Sequence, residues 1–136
     1  TLGASMITGL YAGLAALLFV FLSVRIIGHR RRNKISVGTG NNPDLERAMR
    51  VQANFAEYTP LLLLLLAIIE MNQFPVWALH AMGASILIGR VLHFIGFASE
   101  QAPMIFRVLG TLITFILLLL LAGIAAGQYM LGAFAQ

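Results

Sequence analysis

The chain has no cysteine. Disulfides, thiolate metal sites and a protein-borne thiol nucleophile are therefore excluded, and any reactive sulfur must arrive with a ligand. Charge is also scarce: Asp, Glu, Lys and Arg make up 10% of the 136 residues, against roughly 25% in an ordinary soluble domain. Lys and Arg are absent altogether from residues 1–24, 70–89 and 108–136. No GxxxxGK[ST] loop is present, "GTGNNPD" being the nearest approach, so a nucleotide phosphate site is not expected. No pair of histidines has metal-ligand spacing, no internal repeat is visible, and nothing suggests a nucleic-acid partner.

What is present is apolar length. Hydrophobic residues make up 60% of the chain, and a helix of about 20 apolar residues crosses the ~30 Å hydrocarbon layer. The chain has room for four crossings in one membrane domain, residues 1–136. The pattern predicts spans at about 3–27, 43–70, 76–97 and 105–130, with a loop at about 28–42. The first apolar run, Leu2 to Ile27, is too long for a signal-peptide core and reads as a retained span. The fold class is an all-α integral membrane protein, a four-helix bundle.

Seven of the nine Lys and Arg residues fall in "RIIGHRRRNKISVGTGNNPDLERAMR", between spans one and two, and the other two are Arg90 and Arg107. The positive-inside rule places the loops joining spans one and two and spans three and four in the cytoplasm, and both termini outside. Asn42, Pro43, Asp44 and Glu46 have the order of an N-cap, a first-position proline and first-turn acids, so the second helix should start near Pro43. Trp77 reads as an anchor at the outer interface, and His80 as a packed helix residue. "GLYAG" and "GIAAG" have small-xxx-small spacing, which allows close helix approach within one chain or between chains.

The start of span two is unexpectedly polar. At 100° per residue from Arg50, Arg47 lies near about 60°, Asn54 near about 40°, Glu57 near about −20° and Tyr58 near about 80°, forming one face. Gln52, near about 200°, faces the other way, so if it serves a pocket of the same kind, that pocket is formed with a neighbouring chain. Pro60 removes the donor that the Ala56 carbonyl would have used. On span three, Arg90, His93 and Phe97 also share a face. Glu57 and Arg90 lie at similar depth, so a purely structural ion pair between them is one reading. The excess of arginine at a half-buried cleft favours another, an anionic ligand.

"ERAMRVQANFAEYTP" resembles the second-helix signature of the MAPEG family, the membrane-associated proteins of eicosanoid and glutathione metabolism, in the form R-x-x-R-x-Q-x-N-x-x-E-Y-x-P. "GRVLHFIGF" before a short loop agrees with it and resembles the bacterial branch, so the inner membrane of a bacterium is the expected location. The resemblance implies a homotrimer with glutathione held at each subunit boundary near the cytoplasmic face. It implies that Glu57 and Asn54 hold the γ-glutamyl end, that Arg50 and Tyr58 hold carboxylates or peptide groups, and that Gln52 and Arg30 reach in from the adjacent subunit. Arg90, His93 and Phe97 complete the binding set. Where familiar eukaryotic members have tyrosines on span three, this chain has His93 and Phe97.

An arginine is then required at the sulfur. A free thiol of pKa about 8.5 is only ~3% thiolate at pH 7, and a fall of two units, about 2.7 kcal/mol, makes it mostly thiolate. Arg107, at the cytoplasmic start of span four, is the first candidate; the loop before it is longer than in the family, and Arg31 is the second. The implied activity is glutathione transfer or peroxide reduction on lipophilic electrophiles from the bilayer. Two other readings compete with it. One is a membrane scaffold with a Glu57–Arg90 pair and a basic loop on anionic lipid; the other is a small proton-coupled exporter centred on Glu57.

Overall fold

In the computed structural model, which describes residues 5–134, four helices account for most of the described residues. They are α1 (Ile7–Asn33), α2 (Pro43–Met71), α3 (Val76–Gly96) and α4 (Met104–Phe134). All four are long and apolar enough to cross a membrane. Residues 3 and 4, the expected start of the first span, lie outside the described residues.

Helix α1 continues through Arg30, Arg31 and Arg32 to Asn33, well into the segment read as a loop. Arginine is a good helix former, and positive charge in the last turn meets the negative end of the helix dipole. The helix stops at Lys34, which is left-handed (φ 53°), while Ile35 N–H donates to the Arg30 carbonyl at 3.0 Å. Helix α2 begins as its sequence suggests: the Asn42 side chain accepts from Leu45 N–H at 3.1 Å, followed by Pro43 and the acids Asp44 and Glu46.

The start of α1 has no cap of its own. Glu70, at the far end of α2, supplies one, its two carboxylate oxygens accepting from Ile7 N–H at 2.6 Å and Thr8 N–H at 2.8 Å. Tyr11 and His80 are hydrogen-bonded at this same end, 2.7 Å apart, so His80 has a specific polar partner.

Helices α1 and α4 each pack against both α2 and α3, which also touch each other, and among the described residues α1 and α4 do not meet. Helix α3 is the most enclosed of the four. Leu62, Leu66, Ile69, Leu79, Met82, Ile86, Leu117 and Leu121 make the main core between α2, α3 and α4. A smaller one, Ala15, Leu22, Val51 and Phe55, joins α1 to α2. Large apolar side chains such as Leu17 and Leu119 remain exposed around the outside, as a lipid-facing surface requires.

The closest backbone approach is between α3 and α4. A methyl group at Gly110 would lie 2.7 Å from both the Gly89 carbonyl oxygen and the His93 amide nitrogen. One at Gly96 would lie 2.5 Å from the Arg107 amide nitrogen. The four glycines of "GLYAG" and "GIAAG" behave differently: among the described residues nothing lies within 4 Å of a methyl at Gly9, Gly13, Gly123 or Gly127. Close approach inside this chain therefore uses other glycines than those whose spacing suggested it.

Candidate functional site

At the Arg107 end of the bundle, three contiguous clefts meet at Phe97. The first, about 270 Å³, is lined by Arg50, Ala53, Asn54, Glu57, His93 and Phe97. The second, about 330 Å³, lies between Pro43, Glu46, Arg47, Arg50, Phe97 and Arg107. The third, about 450 Å³, is apolar, bounded by His93, Phe97 and Arg107 at one end and by Met104, Val108, Thr111, Leu112 and Phe115 along α4. The polar face of α2 and the His93 and Phe97 face of α3 are thus brought together.

Arg90 lies beneath the first cleft, 2% exposed. Its Nη1 donates to Asn54 Oδ1 at 2.5 Å and its Nη2 to Thr114 Oγ1 at 2.6 Å, and that hydroxyl donates on to the Gly110 carbonyl at 2.8 Å. One side chain thereby joins α2, α3 and α4. The expected Glu57–Arg90 pair does not form, which removes the ion pair that the scaffold reading invoked. Equal depth does not bring two side chains to the same azimuth: Asn54, a turn before Glu57, meets Arg90 instead, while Glu57 is exposed in the cleft.

This bond also sets the orientation of Asn54. A guanidinium can only donate, so the amide oxygen is committed to Arg90 and the NH₂ group is left for the cleft. Asn54 is thus a donor, suited to a carboxylate or peptide carbonyl, while Glu57 is the acceptor beside it. Arg90 has no carboxylate partner among the described residues, and its Nε is buried without any partner. A buried cation satisfied only by neutral groups leaves a positive potential, which favours an anion in the adjoining cleft.

Arg107 is held differently. Its Nε donates to the Gly96 carbonyl at 2.5 Å and its guanidinium lies 4.0 Å over the Phe97 ring. The two Nη groups have no hydrogen-bond partner among the described residues. The absence of a side chain at Gly96 lets Arg107 reach this position despite the long connection before α4. Phe97 thus provides a stacking surface, with His93 4.9 Å from it, centroid to centroid.

The remaining expected residues are more dispersed. Arg47 is paired with Asp44, and Arg50 with Glu46 at 3.4 Å, both at the rim of the second cleft. Tyr58 turns toward α4, its ring meeting Phe115 edge-on at 5.5 Å, and does not line the cleft that holds Glu57. Gln52 does face away from Arg50, but its amide lies 3.5 Å from Ser23 Oγ of α1 in the same chain. Arg30 is engaged in its own loop, donating to the Gly38 carbonyl at 2.9 Å. Arg31 is exposed in a separate cleft with Arg30, Lys34, Ile35 and Ser36. Thr114 and the apolar wall of α4 were missed from the sequence; the threonines at 111 and 114, polar positions in an otherwise apolar run, were the available signal.

Comparison with known proteins agrees with the signature on α2. The model of the MAPEG family matches residues 8–127. The inner membrane protein YecN of Escherichia coli (strain K12) is 35% identical over 92 residues, covering 68% of this chain and 70% of the relative. YecN of Escherichia coli O6:H1 matches to the same extent.

Proposed function

The chain belongs to the MAPEG family, and on that footing we propose that it is a glutathione-binding enzyme of the bacterial inner membrane, joining glutathione to lipophilic electrophiles or reducing lipophilic peroxides. The observation that carries this reading is the position of Arg107. It stands where the polar clefts meet the apolar one, with two free Nη donors on a guanidinium fixed by Gly96 and Phe97. A tripeptide lying along Arg50, Asn54 and Glu57 would bring its sulfur toward that junction. A lipophilic partner would enter along Val108, Thr111, Leu112 and Phe115.

Glutathione supplies the sulfur nucleophile. The protein's part is to bind, orient and stabilise charge. Glu57 accepts from an ammonium group, while Asn54 and Arg50 donate to carboxylate or peptide oxygens. Arg90 holds Asn54 in that orientation and adds positive potential from below. Arg107 favours the ionised sulfur, and Phe97 screens one side of the guanidinium from water, which strengthens the interaction. The inner-membrane location is supported by the four apolar helices and by the named relative. Assembly as a homotrimer remains part of the proposal; for Arg30 and Gln52 to serve a neighbour's cleft, each must leave the partner it has here.

The test is titration of the purified protein with glutathione while recording ultraviolet thiolate absorbance. The parent should bind and ionise the thiol near neutral pH. Arg107→Ala should retain binding while thiolate at pH 7 falls to the ~3% of a free thiol; Glu57→Gln should weaken binding. A parent that neither binds nor ionises glutathione overturns the proposal. Loss of thiolate in Arg31→Ala but not in Arg107→Ala would transfer the role to Arg31.

A further inference from the structure

A second concentration of positive charge lies on α1, away from these clefts. Arg25, His29 and Arg32 are spaced i, i+4 and i+7, which sets them within about 60° of one another on one helix face. Arg32 folds back along that face: its Nη1 passes 3.3 Å from where a side chain at Gly28 would begin, and its Nη2 is 3.2 Å from His29 Nδ1. Arg25 lies about 10 Å further along the helix toward the apolar layer. Its guanidinium is 4.8 Å over the Phe94 ring of α3, and its Nη1 is buried without a hydrogen-bond partner. No carboxylate forms an ion pair with any of the three among the described residues. The acids at the start of α2, Asp44 and Glu46, are paired with Arg47 and Arg50.

The surface beyond Arg25 is apolar. Phe21 packs edge-on against Phe94 at 5.5 Å and is itself 47% exposed, and Val91 of α3 is also exposed. Two arginines therefore stand above an exposed apolar seam between α1 and α3, with a neutral His29 between them whose Nδ1 accepts from Arg32 and whose Nε2–H is left to donate. An ion free in water would be matched by the outer pair, His29 and Arg32, but would leave the deeper Arg25 and the apolar seam unused. A molecule with a phosphate head and acyl tails uses both.

We propose that this face of α1 is a binding site for an anionic phospholipid, its phosphate held by Arg25, His29 and Arg32 and an acyl chain lying along Phe21, Phe94 and Val91. The site shares no residue with the glutathione clefts, so it stands or falls independently of the enzymatic reading.

The test uses the whole protein in nanodiscs of phosphatidylcholine containing a minor fraction of phosphatidylglycerol, with lipid retained on release counted by native mass spectrometry. The parent should retain phosphatidylglycerol in preference to phosphatidylcholine. That preference should fall roughly fivefold in each of Arg25→Gln and Arg32→Gln, and further in the pair, as expected when one cation near the headgroup is removed. Lys34→Ala, which removes an equal charge outside this face, should leave it unchanged. Helical circular dichroism and thermal unfolding of each variant separate loss of the site from loss of the fold. If Lys34→Ala lowers the preference as much as the arginine variants do, or if millimolar inorganic phosphate displaces the lipid, the site is not a lipid site. Equal retention of both lipids by the parent also overturns it.

Discussion

At the scale of single residues, Arg90 is the buried side chain that bridges helices beneath the site. It holds three helices together with neutral partners, so its loss of one partner should be felt directly. Thr114→Val keeps the shape of the side chain but leaves the Arg90 Nη2 donor without its acceptor. A buried donor left unsatisfied on a charged group costs about 1–3 kcal/mol or more, and thermal unfolding in detergent should show a clear loss. Thr111→Val, at the apolar cleft and without such a bond, should change stability little. The α2 face was legible in the sequence because Arg50, Asn54 and Glu57 belong to one helix, where 3.6 residues per turn set their relative directions. The partner of Arg90 was not, because a pair across helices depends on how each is rotated, and the apolar run around Thr114 carries little record of that rotation.

At the scale of elements, the two sets of glycines make opposite predictions. Gly96→Ala and Gly110→Ala each put a methyl into backbone of the facing helix, 2.5 to 2.7 Å away. Overpacking of this kind costs typically about 1–3 kcal/mol, occasionally more, and here the obstructing atoms cannot rotate aside. Both variants should unfold at lower temperature, and Gly96→Ala should also shift Arg107 and weaken thiol ionisation. Gly9→Ala and Gly123→Ala meet open space, and alanine is the better helix former by about 1 kcal/mol. They should therefore leave the fold of a single chain intact or strengthen it, as measured by the same unfolding experiment. The helix starts and stops were readable where local chemistry marks them, as at Asn42 and Pro43. The end of α1 was less so, because a run of arginines reads as a loop by charge and as a helix by propensity, and propensity prevailed as far as Asn33.

At the scale of the whole molecule, the charge distribution predicts a topology that chemical labelling can check. Because the chain contains no cysteine, single cysteines report without background. In intact cells or inverted vesicles, Ser36→Cys and Ser99→Cys should react with a membrane-impermeant maleimide only from the cytoplasmic side, and Asn72→Cys only from the opposite side. Labelling of Ser36→Cys from outside would invert the arrangement and would put the clefts proposed to bind glutathione in the wrong compartment for a cytoplasmic thiol. Trp77 and Tyr129, both more than three-quarters exposed, lie toward the end where Glu70 caps α1, as expected for an aromatic belt there. That cap has a further consequence during biosynthesis. The amides of Ile7 and Thr8 emerge from the ribosome long before the carboxylate that satisfies them, 63 and 62 residues later. Until then the leading turn of α1 must rely on water or lipid headgroups, so its seating is completed only when the second helix has crossed behind it. The first two helices are in this sense a single insertion unit, closed by one side chain before the glycine-packed pair α3 and α4 has been made.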